Sequence, residues 1–273
     1  MIFLFDLDGT LIYDGSDQIP LKNINILKKI QKSGHEPIIV TGRMFSATLR
    51  CIKNLNLNYA ISYNGAMVSK FDNGWKIIKH SSLMEEEMKI VRSIIKKYRD
   101  KSLTFFLYDM DNLKYYGYAK HIEEYEKRSG IRGTFLKNID NISFLSTKFL
   151  ISTNPNNPEL LNEVEKELSN HTENFSVTRS VKHYLEINRK GINKGYGVKF
   201  IRKIFPEQKI ISFGDSYNDK TMFLESDISY SMPSSPDSIK KLVSKVLPFE
   251  REDSINHGVN NHLMKNNRSN GSN

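Results

Sequence analysis

Over about the first eighty residues, apolar positions come in short continuous runs rather than in strict alternation. The runs "IFLFDLD", "EPIIVTG" and "YAISYNG" are typical of strands that are buried on both faces. Between them, "LKNINILKKIQKSG" and "MFSATLRCIKNLN" have the apolar spacing of amphipathic helices. Such strands, separated by helices, predict a parallel sheet covered by helices on both sides. The expected fold class is therefore α/β, with a Rossmann-like, doubly wound sheet.

The middle of the chain, from about Ser82 to Ile187, has a different pattern. Two amphipathic helices, "MEEEMKIVRSIIKKY" and "NPELLNEVEKELSNH", are predicted there. The aromatic and β-branched stretches predicted as strands are "TFFLYD", "LKYYGYA", "FLSTKFLIST", "FSVTRS" and "KHYLEIN". Strands grouped between helices predict an α+β module with an antiparallel sheet.

A strand of the first type, "KIISFGD", returns after this module, so one α/β domain is expected to be split by an insertion. The predicted organisation is a discontinuous core, residues 1–81 and 188–273, with an inserted α+β cap domain, residues 82–187. After Leu263 the polar stretch "MKNNRSNGSN" predicts a tail without fixed structure.

Composition narrows the classes of protein. With 38% hydrophobic residues the 273-residue chain can bury a core, and it contains no apolar run near the roughly 20 residues that span a bilayer. Its one cysteine, Cys51, cannot form an intramolecular disulfide, which favours a reducing compartment such as the cytoplasm. The net charge of +9 permits a polyanionic partner, but the lysines are spread over amphipathic segments, as on solvated helix faces. Nucleic acid is therefore not the expected partner.

Polar side chains gather where the predicted parallel strands end. They are Asp6, Asp8, Thr41, Asn64 and Asp215. Ligands of such sheets bind beyond the carboxyl ends of the strands, so these side chains are expected to meet at one site. Asp6 and Asp8 point the same way because side chains alternate along a strand with period two. Two close carboxylates repel each other, which calls for a cation or a shared chemical task.

These residue types fit phosphoryl chemistry. A carboxylate at a strand end can attack phosphorus when a cation screens the incoming anion. A second carboxylate can protonate the leaving oxygen and then deprotonate water. Thr41, Gly42 and Arg43 precede a helix with a hydroxyl and free N–H groups, which favours an anion site. Lys194 is a point charge suited to a phosphoryl group.

The segment Asp215–Asp219, "GDSYND" with its preceding glycine, places two carboxylates at a strand-to-helix junction and offers the oxygen ligands that Mg²⁺ prefers. Three side chains have two interpretations each. Arg43 either contacts substrate or pairs with a carboxylate. Asn64 contributes to the site or only forms a tight Asn-Gly turn. Asn218 binds phosphate or orients Asp215, or it caps a helix.

Taken in order along the chain, the four groups of residues resemble the motifs of the haloacid dehalogenase-like phosphohydrolases. The position of the insertion, together with "YNGA" at Tyr63–Ala66, resembles the Cof-type subfamily, whose α/β cap lies between the second and third motifs. The resemblance extends to about Leu263. One departure is "YSMPSSPDSIKK" from Tyr230, where many relatives have a small glycine-rich segment.

The resemblance implies a role for each matching residue. Asp6 matches the nucleophile that forms an aspartyl-phosphate, and Asp8 matches the general acid and base. Thr41 and Lys194 match the phosphate-binding positions. The positions that match the Mg²⁺ site are Asp6, the backbone carbonyl of Asp8, Asp215 and, in or near the outer shell, Asp219.

The expected function is that of a Mg²⁺-dependent phosphatase of small phosphorylated metabolites, such as sugar phosphates or a phosphorylated cofactor precursor. The cap is expected to select the substrate. Two alternatives stay open at this stage: a phosphomutase acting on a sugar phosphate, and a phosphate- or nucleic-acid-binding module without catalysis.

Overall fold

The computed structural model describes residues 1–13, 16, 18–179, 182–249 and 251–269. Over these residues the strands, in chain order, are β1 (Ile2–Phe5), β2 (Glu36–Val40), β3 (Tyr59–Ser62), β4 (Met67–Phe71), β5 (Trp75–His80), β6 (Leu103–Asp109), β7 (Asn112–Gly117), β8 (Thr134–Phe135), β9 (Ser146–Thr153), β10 (Phe175–Thr178), β11 (Tyr184–Arg189), β12 (Ile210–Gly214), β13 (Ile228–Ser231) and β14 (Lys245–Val246). The helices are α1 (Leu21–Lys32), α2 (Phe45–Ile52), α3 (Glu85–Tyr98), α4 (Ala119–Ser129), α5 (Leu160–Leu168), α6 (Lys194–Ile204), α7 (Lys220–Leu224), α8 (Asp237–Lys240) and α9 (Arg251–Ser269).

The first sheet is the predicted α/β core. Its eight strands follow the order β14-β13-β12-β1-β2-β3-β4-β5. From β14 to β3 every neighbouring pair is parallel, and β4 and β5 extend the sheet in antiparallel fashion. Every residue of β1 and of β12 is buried, as expected of strands covered on both faces. The carboxyl ends of β1 and β12 lie side by side, and the Asp6 amide donates to the Phe213 carbonyl at 3.0 Å.

The second sheet is the predicted insertion. Its six strands follow the order β10-β11-β9-β6-β7-β8 and pair in antiparallel fashion except for β7 with β8. Helices α3, α4 and α5 come from the same stretch of chain, so the module is α+β. Strand β11 ends at Arg189, two residues beyond the predicted boundary at Ile187.

The core and the cap share a buried apolar cluster. Its core members include Met44, Phe45, Tyr63 and Met67, and its cap members include Phe106, Tyr108, Leu150 and Tyr184. The rings of Tyr63 and Tyr108 meet edge to face across this boundary, with centroids 5.4 Å apart. The apolar surface buried between the two modules stabilises the position of the cap on the core.

The last helix differs from the sequence prediction. Helix α9 continues to Ser269, past Leu263, where the polar composition predicts a tail without fixed structure. Ile255, Val259 and Leu263 of α9 are buried in the cluster that covers one face of the core sheet, so this packing anchors the helix. Residues 270–273 lie outside the described part of the chain. Among the described residues, no helix combines the length and the apolar character needed to cross a membrane.

Candidate active site

A cavity of about 590 Å³ opens at the carboxyl ends of the parallel strands, between the core and the cap. The predicted site residues that line it are Asp6, Asp8, Thr41, Gly42, Arg43, Asp215 and Asn218. The cap residues that line it include Tyr125, Lys148, Leu150, Tyr184 and Glu186. Residues that are far apart in sequence therefore meet where the topology of a doubly wound sheet places ligands.

Three carboxylates and one ammonium group lie together beside this cavity, which Asp6 and Asp215 line. Asp6 follows β1, and Asp215 and Asp219 follow β12; one oxygen of each lies within 4.8 Å of the others. Lys194, the first residue of α6, places its Nζ 2.6 Å from Asp6 Oδ1 and 2.6 Å from Asp219 Oδ1. The side chain of Asn193 accepts the Tyr196 N–H and caps α6, which fixes where Lys194 enters the site.

The protonation behaviour of these groups follows from burial and mutual repulsion. Burial raises the pKa of Asp6 well above its usual range, and Lys194 only partly opposes this effect. Burial and the neighbouring Asp219 carboxylate raise the pKa of Asp215 to about 7. Burial alone would lower the pKa of Lys194, but Asp219 and Asp6 outweigh it and raise that pKa. Ionising this carboxylate cluster fully therefore requires more positive charge than Lys194 supplies.

The donor set fits Mg²⁺. Asp6, Asp215 and Asp219 offer only carboxylate oxygens, which hard divalent cations prefer. Their shortage of compensating charge is the electrostatic reason to bind a cation there. Because Gly9 has no side chain, it leaves room for the Asp215 carboxylate; a Cβ built on it would lie 2.4 Å from Asp215 Oδ2.

Both oxygens of Asp219 are already used within the protein. Oδ1 accepts from Lys194, and Oδ2 accepts from the backbone N–H groups of Asp215 and Ser216 at 2.9 and 3.0 Å. Asp219 is fully buried. It therefore holds Lys194 and the loop of Asp215 in place, which fits the outer position that the family resemblance implies.

The side chain of Asp8 lies apart from the carboxylate cluster, on Arg43. Arg43 Nε donates to Asp8 Oδ2 at 2.8 Å, and its Nη2 donates to Asp8 Oδ1 at 2.6 Å. Of the two interpretations of Arg43, the structure shows the ion pair with a carboxylate. That carboxylate is the proposed acid and base, so the pair belongs to the site. The remaining Nη1 of Arg43 lies 3.0 Å from the buried Cys51 sulfur.

The segment Thr41–Arg43 lines the cavity. It is here called the phosphate-binding loop after the role that the sequence predicts for it. Thr41 Oγ1 accepts the Arg43 N–H at 3.1 Å, and the Thr41 carbonyl accepts the Asn64 N–H at 3.0 Å. Asn64 adopts a left-handed backbone with φ 53°. Asn64 is thus part of a tight turn, which is one of its two interpretations. Its hydrogen bond to the Thr41 carbonyl also ties it to the phosphate-binding loop.

The side chains of Asn64 and Asn218 meet beside the phosphate-binding loop. Asn218 Nδ2 lies 3.4 Å from Asn64 Oδ1, and Asn218 Oδ1 accepts from Ser216 Oγ at 2.7 Å. The residue that caps the short 3₁₀ turn Tyr217–Asp219 is Ser216, which accepts from the N–H of Asp219. The helix-cap interpretation therefore applies to Ser216 rather than to Asn218, whose side chain lines the cavity.

Two charged cap residues in the cavity were missed by the sequence analysis. Lys148 on β9 and Glu186 on β11 form a buried ion pair, with Lys148 Nζ 3.1 Å from Glu186 Oε2. Lys148 is the one charged residue of the buried strand β9, and Glu186 is the one charged residue among the buried residues of β11, whose last residue, Arg189, is exposed. That pattern is the only signal the sequence offers, because charged residues are seldom buried unless they are paired.

Comparison with known proteins decides the family. A model of the haloacid dehalogenase-like hydrolases matches residues 3–259. The chain belongs to this family. The family resemblance predicted from the four groups of residues is thereby confirmed, and the haloacid dehalogenase-like fold accounts for both sheets.

Curated relatives of this haloacid dehalogenase-like hydrolase include two 5-amino-6-(5-phospho-D-ribitylamino)uracil phosphatases of Bacillus subtilis. One is 23% identical over 266 residues, which cover 96% of each chain. The other is 24% identical over 262 residues, which cover 93% of this chain and 94% of the relative. Together with the family match, they confirm the predicted enzyme class, a phosphatase of the haloacid dehalogenase-like type.

Solved structures confirm the fold over nearly the whole chain. A Thermotoga maritima protein is 27% identical and has a TM-score of 0.78, covering 97% of this chain and 96% of its own. A subclass IIB sugar phosphatase of the superfamily is 21% identical and has a TM-score of 0.75, covering 97% and 98%. The α/β core with an inserted cap is thus the fold of these proteins as well.

Proposed function

We propose that this protein is a Mg²⁺-dependent phosphatase that hydrolyses small phosphorylated metabolites through an aspartyl-phosphate on Asp6. The observation that carries the proposal is that Asp6 and Asp215 line a cavity large enough for such a molecule and that Asp6 accepts from the buried Lys194. Asp6 is the member of the carboxylate cluster that both lines the cavity and accepts from Lys194. Small-molecule sites have volumes of about 300–1,000 Å³, a range that includes this cavity.

In the first step, an oxygen of Asp6 attacks phosphorus while the bond to the leaving oxygen breaks. The ion pair with Lys194 favours the ionised, nucleophilic form of Asp6. Protonated Asp8 gives its proton to the leaving alkoxide, and Arg43 is placed to hold the carboxylate that results. Bound Mg²⁺ would be held by Asp6, Asp215 and the Asp8 carbonyl and would supply charge neutralisation for the phosphoryl group.

In the second step, water replaces the alcohol. The ionised Asp8 takes a proton from a water molecule, whose oxygen attacks phosphorus and breaks the bond to Asp6. Inorganic phosphate leaves, and Asp6 and Asp8 return to their starting forms. The Thr41 hydroxyl and the Gly42 N–H of the phosphate-binding loop, with Lys194, are the groups we assign to the phosphoryl oxygens in both steps.

The proposed substrates are phosphomonoesters of the size of a sugar or sugar alcohol. The Bacillus subtilis relatives act, by their names, on a phosphorylated ribitylamino compound, and one structural neighbour is a sugar phosphatase. Tyr125, Tyr184, Lys148 and Glu186 give the cap side of the cavity both aromatic and charged groups. A cytoplasmic location stays a prediction that rests on the single cysteine, Cys51.

A phosphate-release screen over a broad panel of phosphorylated metabolites, with Mg²⁺, tests this proposal. We expect release from a subset of sugar or sugar-alcohol phosphates and none from the matched Asp6→Asn protein. Turnover that requires a sugar bisphosphate activator and yields an isomeric sugar phosphate would indicate the phosphomutase alternative. Absence of release from every compound, with salt-dependent binding of nucleic acid, would indicate the non-catalytic alternative.

A further inference from the structure

The buried ion pair of the cap contacts the phosphate-binding loop directly. Glu186 on β11 lies opposite Leu150 on β9, and Lys148 lies two residues before Leu150, so both charges are on one face of the cap sheet. Lys148 Nζ donates to the Gly42 carbonyl at 2.9 Å as well as to Glu186. A cap side chain therefore holds the central carbonyl of the loop Thr41–Arg43.

Glu186 makes the matching contact on the other side of the loop. Its Oε2 accepts from Asn64 Nδ2 at 2.7 Å and from Lys148 at 3.1 Å. The side chains of Lys148 and Glu186 are only 4% and 8% exposed. Because burying charges is costly, each must be well compensated, and a large part of the compensation comes from the core.

Packing around Gly42 leaves little room for the loop to shift. A Cβ built on Gly42 would lie 2.9 Å from Asn64 Oδ1 and 3.3 Å from Glu186 Oε2. The loop, the Asn64 amide and the cap carboxylate therefore form one close-packed unit. A change in the position of Glu186 would be transmitted to the loop by direct contact.

A second cap segment fixes the helix that follows the loop. Asp111, in the turn between β6 and β7, accepts the Ser46 N–H at 2.8 and 3.1 Å and the Tyr63 hydroxyl at 2.9 Å. The residue at the N-cap position of α2, Met44, supplies no side-chain acceptor of its own. Asp111 thus provides from the cap the acceptor that helix N-termini require.

We propose that Lys148 and Glu186, supported by Asp111, are positioning residues that fix the phosphate-binding loop from the cap. The inference rests on the proposed function, and it adds that the cap contributes to phosphate binding for every substrate as well as to selection among them. Lys148 fixes the Gly42 carbonyl and with it the plane of the peptide that joins Gly42 to Arg43. That peptide carries the Arg43 N–H that donates to Thr41, and Arg43 holds Asp8.

This role differs measurably from direct recognition of the substrate. A cap residue that only contacts the leaving group would not alter the binding of inorganic phosphate or the hydrolysis of a small aryl phosphate. A residue that positions the loop would affect inorganic phosphate, aryl phosphates and larger metabolites by similar factors. Misplacing a binding group by about 1 Å can cost on the order of 10²-fold in rate.

The test uses the full-length protein with Mg²⁺ and the variants Lys148→Met, Lys148→Gln and Glu186→Gln. The probes are inorganic phosphate, measured as a competitive inhibitor, 4-nitrophenyl phosphate, and the best metabolite from the screen. For Lys148→Met we expect at least about 10-fold weaker phosphate binding and a loss of about 10²-fold in kcat/KM for both esters. Lys148→Gln keeps an N–H donor for Gly42, so its loss should be smaller.

The matched control is Arg179→Met, which removes a cap ion pair with Glu165 (Arg179 Nη2 to Glu165 Oε2, 2.7 Å) that does not contact the loop. It should behave as the wild type. The double variant Lys148→Met and Glu186→Gln avoids an isolated buried charge, and circular dichroism checks that it is folded. If that variant does not fold, Asp111→Ala replaces it, and the same uniform loss is expected.

Two results have distinct meanings. A folded variant that binds inorganic phosphate and hydrolyses 4-nitrophenyl phosphate like the wild type, but loses activity on the larger metabolite, would overturn the positioning role. A wild-type protein that releases phosphate from no ester would contradict the proposed function instead. In that case the affinity for inorganic phosphate, measured by calorimetry instead of inhibition, still compares the variants with the wild type.

Discussion

Arg43 holds Asp8 by two hydrogen bonds, Nε to Oδ2 at 2.8 Å and Nη2 to Oδ1 at 2.6 Å. The carboxylate of Asp8 is half exposed, whereas the Arg43 side chain is only 11% exposed and has a further contact with Cys51. This fork-to-carboxylate geometry is among the stronger ion-pair arrangements. It favours the ionised form of Asp8, which is the product of the proposed first step and the reactant of the second.

The ion pair predicts a selective defect in Arg43→Lys. A lysine keeps the charge but cannot make both hydrogen bonds, so ionised Asp8 would be held less firmly. We expect kcat for an alkyl phosphate, whose leaving group needs a proton, to fall by up to about 10²-fold, near the lower end of general acid–base effects. The first step with an aryl phosphate should fall less, as burst kinetics would show. Equal losses with both esters would contradict this role of Arg43.

The core half of the site could be predicted from sequence because topology alone brings it together. Asp6 and Asp215 follow apolar runs that are recognisable as parallel strands, and neighbouring strand ends must meet. Lys194 was predicted from its place in the series of motifs. The structure adds that it donates to Asp6 and Asp219 at once, a geometry that depends on how α6 docks on the sheet.

The cap half could not be predicted in the same way. Lys148 and Glu186 are 38 residues apart, and each is the only charged residue among its buried neighbours. Their pairing depends on the register of β9 with β11, and their contact with Gly42 depends on how the cap sits on the core. Neither is encoded in local periodicity. Helix α9 likewise depends on tertiary contacts, since Ile255 and Val259 are buried in the core cluster although much of the helix is polar.

Mg²⁺ should stabilise the folded protein as well as restore activity. Asp6, Asp215 and Asp219 repel one another in a buried site, and a bound cation relieves that repulsion. At a Mg²⁺ concentration of about 100 times Kd, linkage predicts about 2.7 kcal/mol of added stability. Thermal melts of EDTA-treated protein with increasing Mg²⁺ measure this, and phosphate release should return in parallel. Asp215→Asn is the control that should lose most of the shift. Full turnover by thoroughly demetallated protein would exclude a metal-dependent mechanism.

Gly65→Ala should destabilise the junction between the core and α6. Gly65 has φ +93°, and a Cβ there would lie 2.1 Å from the Asn193 carbonyl oxygen. We expect a loss of at least about 3 kcal/mol in urea denaturation, because backbone strain and a clash with main-chain atoms combine. Gly34→Ala is the matched control, since Gly34 has φ +73° but nothing within 4 Å of the added carbon. It should cost only about 1–2 kcal/mol, the cost of a left-handed backbone. Similar losses in the two variants would show that the close approach to Asn193 is unimportant.

The two aspartates that open the chain should fail at different steps. Asp6→Asn removes the attacking carboxylate, so no phosphoryl-enzyme should form and turnover should fall to background. Asp8→Asn keeps the nucleophile but loses the proton donor and the base for water, a role worth about 10²–10⁴-fold. With an aryl phosphate, whose leaving group needs no proton, the first step should survive better than the second. Phosphoryl-enzyme should then accumulate in Asp8→Asn alone.

Rapid acid quench with labelled aryl phosphate, followed by peptide mapping, measures this difference. The wild type is the reference for the steady-state level of labelled protein, and Asp6→Asn sets the background. Of the two opening aspartates, Asp6 accepts from Lys194 at 2.6 Å, the ammonium group that we assign to the phosphoryl oxygens, whereas Asp8 is held by Arg43. The label should therefore map to Asp6 in both the wild type and Asp8→Asn. Label on any other residue, or equal activity of the two variants, would overturn the assigned roles.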